Sequence, residues 1–330
     1  MFKKVGFVGQ LLHPRYINIQ TIKCPKMVVA QLFGFVLLLS ASVSSSVSMN
    51  FQKLAQYETE YQDPRNRLLK RKSPLETPVC LRPLFCVALI LSAAASMLDF
   101  VALAWLPTAV IGVFGSMSII INLCVTRIIL FEAPSKEEGM AILYVIVGCL
   151  LAITTTSENV SELSPPQLLE RPLSCVYIVL NWVLFVLTSV FLDNVTVTPW
   201  ISQVGFPFIG GALGAQNVCM GKYIAYAVVS AHEAGVLTVR LDVLIATVLL
   251  CVASVVVHII WLNKGLQKYD AYYCIIVYQS AWFIFTTLSG IVVYNNMATV
   301  TAVGWFFFSI GITTIVFGVW NVSVLHLNKP

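Results

Sequence analysis

Residues 210–226 read GGALGAQNVCMGKYIAY, inside an apolar run (203–230) long enough to cross a bilayer. The first turns carry Gly210, Gly211, Ala212, Gly214 and Ala215, and Gln216, Asn217 and Lys222 follow. Small residues let helix backbones approach closely in lipid. Amides and an ammonium at membrane depth are costly unless they meet a partner, water or a substrate. A segment both small and polar is expected to line something. The simpler reading is a tight helix–helix contact with Lys222 reaching to the interface.

The rest of the chain sets this stretch in a membrane. Of 330 residues, 58% are hydrophobic and only 11% charged, far below the quarter or so of a soluble domain. Eight further apolar runs accompany it, at 28–49, 83–105, 107–131, 140–156, 173–193, 241–263, 271–294 and 299–326. The expected fold is all-α: a polytopic membrane helix bundle of about nine transmembrane helices. Pro107 alone separates the second and third runs, which predicts a tight hairpin.

Basic residues orient the bundle. Residues 50–82 form the long polar connection, with Lys53, Arg65, Arg67, Lys70, Arg71, Lys72 and Arg82, and the positive-inside rule makes it a basic cytoplasmic loop. Arg127, Lys136, Lys264, Lys268 and Lys329 fall on the same side, against Arg171, Lys222 and Arg240 on the other. The N-terminus is then outside or lumenal and the C-terminus cytoplasmic, in a plasma membrane or endomembrane. The tail 1–26 holds five basic residues and no acid, against that orientation. It is a poorly formed leader or an extension ahead of a start at Met27. Asn159-Val160-Ser161 is a glycosylation sequon in an outer loop, and Glu158, Glu162 and Glu170 make that loop acidic.

A weak internal repeat organises the runs. Shifting the chain by 163 residues lays Leu103 on Leu266, Ile128 on Ile291, Gly148 on Gly311 and Glu132 on Asn295. A slightly different shift lays Lys53-x-x-x-Tyr57 on Lys222-x-x-x-Tyr226. Spans one to four thus match six to nine. The transporter domain 27–326 divides into repeat one (27–156), a linking helix (173–193) and repeat two (203–326). Equivalent spans lie five apart, so the halves insert in opposite directions as an inverted 4+1+4 repeat. Such repeats place a substrate site near the bilayer midplane and work by alternating access.

Four stretches, GGALGAQNVCMGK, MNFQKLAQYE, LDFVALAWLPTAVIGVFGSMSIIINLCVTRIILFE and WLNKGLQKYDAYYCIIVYQSAWFIFTTLSGIVVY, resemble the NIPA-like magnesium transporters of the drug/metabolite transporter superfamily. The likeness covers roughly 28–326, and its most specific part runs from Leu262 to Tyr294. It implies a nine-span inverted-repeat bundle that carries Mg²⁺, sometimes other divalent cations. The chain departs from the pattern in places. Ser96 stands where the family usually has a glutamate, and Asp99 follows three residues later, where the family tends to asparagine. Asn295 and Asn296 replace the acid that usually closes the eighth span.

Mg²⁺ takes hard oxygen ligands at about 2.1 Å and keeps several waters, so one carboxylate with amides and hydroxyls is a workable carrier site. The expected site residues are Asp99, as metal ligand, with Gln216, Asn217, Lys222, Tyr278, Gln279 and Ser45. An Asp99–Lys222 ion pair is the competing structural reading. His258 reads as a hydrogen-bonded packing residue, and Arg127 and Glu132 as interface anchors. Expected partners are the lipid bilayer and a divalent cation, with no nucleic acid and no cofactor beyond Mg²⁺ as cargo. The nine cysteines are scattered, without Cys-x-x-Cys, and no nucleophile or phosphate-cradling motif occurs, so an enzyme is not expected. The alternatives are a carrier of a small organic or nucleotide-sugar substrate on the same scaffold, or a non-transporting membrane scaffold.

Overall fold

The computed structural model describes residues 26–57, 82–105, 108–153, 172–194, 199–234, 239–293 and 301–327. They form α1 (Lys26–Tyr57), α2 (Pro83–Trp105), α3 (Thr108–Ile129), α4 (Lys136–Ile153), α5 (Pro172–Asn194), α6 (Pro199–Ala234), α7 (Leu241–Lys268), α8 (Ala271–Val292) and α9 (Ala302–Leu327). No strand occurs among the described residues. In lipid this is what backbone hydrogen bonding requires, since a helix satisfies its own amides and carbonyls. Five helices are long and apolar enough to cross a membrane by length and composition: α1 from Phe33 to Gln56, α5 from Pro172 to Leu192, and all of α7, α8 and α9. Pro83–Asp99 and Met117–Ile129 are shorter apolar stretches.

Helix pairing follows a rule. α1 packs on α2 as α6 packs on α7, and α1 meets α3 as α6 meets α8. Between the halves, α2 touches α6 while α7 touches α1. The remaining large contact is α4 against α9, and it is reciprocal. A Cβ on Gly148 would lie 2.7 Å from the Gly311 carbonyl, and one on Gly311 would lie 2.7 Å from the Gly148 carbonyl. These glycines coincide under the 163-residue shift, so equivalent positions touch each other, as at a two-fold axis. α5 packs lightly on α6 and α8, and its outer face is a row of exposed Leu and Val suited to acyl chains.

The core gathers around α8, in which every residue from Ala271 to Ala281 is buried. A helix buried on all sides needs apolar residues on all sides. Here Ile275, Ile276 and Val277 supply that, and Tyr273 closes on Ser323 of α9 through a 3.0 Å hydroxyl contact. Serines act as glue in the first half. Ser48 donates to the Ala88 carbonyl at 2.6 Å, Ser44 donates to Leu91 at 3.4 Å, and Ser118 of α3 donates to Ser42 at 3.0 Å.

One boundary differs from the sequence expectation. Residues 50–57 were expected to open the basic loop, yet they continue α1 without a break. Lys53 is only 3% exposed, and Asn50 and Gln52 are buried with it. Asn50 donates back to the Ser46 carbonyl at 2.8 Å, while the others meet α7: Asn263 donates to Gln52 at 3.0 Å, and Gln56 donates to Asn263 at 3.0 Å. Arg82 is also buried, and its guanidinium donates to the Ala55 carbonyl. The tail through Pro25, the loop over 58–81, the hairpin at 106–107 and the sequon at Asn159 lie outside the described residues.

Candidate functional site

The glycines of α6 bring three helices to one crossing. Gly210 faces α7, where an added Cβ would come within 3.3 Å of the Leu262 amide nitrogen. Gly211 faces α8 at 2.2 Å from the Tyr278 carbonyl, a distance no side chain tolerates. Gly214 faces the same residue's hydroxyl at 2.9 Å. The small residues therefore do what close packing in lipid demands, and they seat Tyr278 against the α6 backbone. Pro207 lies inside α6, and a Cβ added to Gly265 of α7 would lie 3.4 Å from its ring.

Polar groups collect beside this crossing. The Asn217 amide donates to Nδ1 of His258 on α7 at 3.3 Å. The Asn217 carbonyl oxygen is buried without a hydrogen-bond partner. The His258 and Tyr278 rings lie 6.2 Å apart, tilted by 33°. α2, which carries Asp99, packs on α6, which carries Asn217. On α2 the buried residues Phe85, Ala88, Ala95 and Ala102 form one stripe. Asp99 falls on it, four residues after Ala95 and three before Ala102. Its side chain is nonetheless exposed. Asp99, Asn217, His258 and Tyr278 thus supply carboxylate, amide and phenol oxygens and one imidazole.

The other expected residues lie elsewhere. Gln216 is buried, but on the face of α6 toward α5. It lines a cleft of about 140 Å³ with Trp182, Phe185, Phe208 and Phe285, near the Tyr177 hydroxyl. Lys222 lies five residues beyond Asn217, about 140° around the helix, and so points away from His258. Among the described residues no ion pair joins Asp99 to Lys222. Gln279 is buried on α8 next to Tyr278, and Ser45 is half-buried on α1 among the serines that tie α1 to α2 and α3. Ser96, at the position of the family glutamate, is exposed and donates to its own helix at Ser92, 3.0 Å away. His258 was the residue sequence reasoning set aside. Its signal was the combination of a lone histidine at membrane depth with an amide on the neighbouring small-residue helix.

Among the described residues no three His, Cys, Asp or Glu side chains converge as a metal cage. One carboxylate with neutral oxygens suits an ion that keeps part of its water shell.

Comparison with known proteins gives two findings. The sequence profile of the family described as "Magnesium transporter NIPA" matches residues 29–329. The chain is similar to "Probable magnesium transporter NIPA8" of Arabidopsis thaliana, with 20% identity over 301 residues, covering 84% of this chain and 66% of that relative. No solved structure matches.

Proposed function

Since the chain belongs to the magnesium transporter NIPA family, we propose that it carries a divalent cation, Mg²⁺ in the first instance, across a membrane by alternating access. The integral membrane character follows from the family and the apolar helices; cargo and mechanism are the proposal. The observation that carries it is Asp99. Among the described residues it is the carboxylate that lies more than a full turn from either end of its helix, and it stands on the inward stripe of α2, which packs on the helix carrying Asn217. A carboxylate at membrane depth marks a pathway unless a basic group pairs with it, and no ion pair to Asp99 occurs among the described residues. The recurring helix pairs support two oppositely inserted four-helix halves, with the site between them. Gln216 and Gln279 are left as flanking residues of that path, Lys222 as an interface residue and Ser45 as packing.

An organic-anion carrier would want a basic cavity, and the inward groups here are a carboxylate and neutral donors. The basic end of the bundle, with Lys53, Lys264 and Lys268, is the cytoplasmic one under this reading. The decisive measurement is isotopic Mg²⁺ uptake into liposomes containing the purified protein. Saturable uptake that excess unlabelled Mg²⁺ suppresses supports the reading. Uptake no faster than in empty liposomes refutes it.

A further inference from the structure

At the basic end, the first half holds the α7–α8 corner from both sides. The Lys53 ammonium donates to the Leu266 carbonyl and, at 2.6 Å, to the Tyr269 carbonyl, the free oxygens at the C-terminal end of α7. The Glu132 carboxylate accepts from the backbone amides of Ala271 at 2.7 Å and Tyr272 at 3.4 Å, the first turn of α8. Each charge matches the helix end it touches, cation on a C-terminus and anion on an N-terminus. Phe131 is set to make this possible. It adopts φ 58°, a left-handed conformation an L side chain pays for, and is left exposed just before Glu132.

The neighbouring contacts are of one kind. Tyr272 donates to Glu138 of α4 at 2.7 Å, and the same hydroxyl lies 3.2 Å from Nδ1 of His326 at the end of α9. Glu138 also closes a capping box with Ser135, accepting from the Ser135 amide at 2.7 Å. Among the described residues, Lys53, Glu132 and Glu138 thus all bond to the one corner, beside the Gln52 and Gln56 contacts to Asn263. Apolar packing between α1 and α7 is slight by comparison with α1 on α2. Behind the corner lies Cys274, fully buried and within electrostatic reach of Lys53, Glu132 and Asp270.

We propose that Lys53 is the lock of a gate at the basic end. Its ammonium, seated on the α7 carbonyls with Glu132 on the α8 amides, holds the path shut there, and its release opens the bundle from the corner inward past Cys274. The lock rests on the transporter reading, because a gate needs a path to close. Lys53 is a positioning residue and does not touch the cargo site near Asp99.

The test uses full-length protein in lipid nanodiscs, with all cysteines replaced except Cys274, and follows labelling by a membrane-impermeant maleimide. Lys53→Met is expected to speed labelling about tenfold or more, the change that loss of hydrogen bonds to a charged group carries. Lys53→Arg, which keeps charge and donors, is expected to stay near the parent rate. A second background retaining only Cys149, buried between α4 and α9, controls for general loosening and is expected to remain protected in Lys53→Met. Unchanged Cys274 labelling overturns the lock, and so does a rise at Cys149 equal to that at Cys274. Selective Cys274 exposure in a protein that carries no Mg²⁺ upholds the lock and refutes the cargo instead.

Discussion

Asp99 and Ser96 sit within one turn of each other, yet they do opposite things. Asp99 lies on the inward stripe with Ala95 and Ala102, whereas Ser96 turns out and satisfies itself on Ser92. Asp99→Asn keeps size and hydrogen bonding but removes the charge that would face a cation. We expect Mg²⁺ uptake to fall by more than tenfold, while Ser96→Ala stays within about twofold, both read as initial rates in liposomes. His258→Gln keeps a partner for Asn217 and should reduce uptake less than Asp99→Asn. Glu132 carries a pH signature. Burial raises its carboxyl above the ordinary 4.5, outweighing Lys53 and the two α8 amides, which lower it, while Asp270 adds to the rise. An acid with a raised folded value contributes stability that is fully present below its unfolded value and fades as pH climbs through the folded one. Glu132→Gln, permanently neutral, removes that slope. The apparent melting temperature of the parent should fall relative to Glu132→Gln as pH rises above about 4.5. Sequence alone pointed to Asp99, Asn217 and Tyr278, because polar groups in apolar runs are conspicuous. It did not separate Gln216 from Asn217. Neighbours on a helix face directions 100° apart, and only the packing of α5 and α7 tells which one is inward.

At the scale of the helix, glycine positions divide into those that bear a crossing and those that do not. At Gly211 a methyl group would meet the Tyr278 carbonyl at 2.2 Å, and that obstacle is backbone. Gly211→Ala must push α6 from α8, and we expect a loss of about 1–3 kcal/mol, the usual cost of overpacking, seen as a lower melting temperature. Gly290, in the last turn of α8, has nothing within 4 Å of an added Cβ. Gly290→Ala should leave stability unchanged or raise it by up to about 1 kcal/mol through helix propensity. Helix existence was plain in the sequence, since the apolar runs at 83–105, 173–193 and 241–263 reappear within a few residues as α2, α5 and α7. The end of α1 was not. Asn50, Gln52 and Lys53 read as solvated because composition records polarity and not partners; Asn50 bonds back to Ser46, and the partners of Gln52 and Lys53 lie more than 200 residues away on α7.

Over the whole molecule, one of the large helix pairings is α4 against α9, and the close approach of Gly148 and Gly311 lies on that seam. Gly311→Val would drive a branched side chain toward the Ala152 nitrogen, 2.6 Å from its Cβ, and the Gly148 carbonyl, neither of which can turn aside. We expect such a variant to lose its monodisperse peak in size-exclusion chromatography, because the contact it breaks joins the halves and not merely two neighbours. The faint 163-residue register located this pair before any coordinates did. It could not show that the partners touch, which depends on how the halves are placed. That touching has a further consequence. If the proposed alternating access makes the two halves exchange shapes, a line on which each copy rests against its own counterpart maps onto itself. Spectroscopic labels straddling α4 and α9 near that point should report one separation in every conformation, a fixed ruler for the movement of everything else.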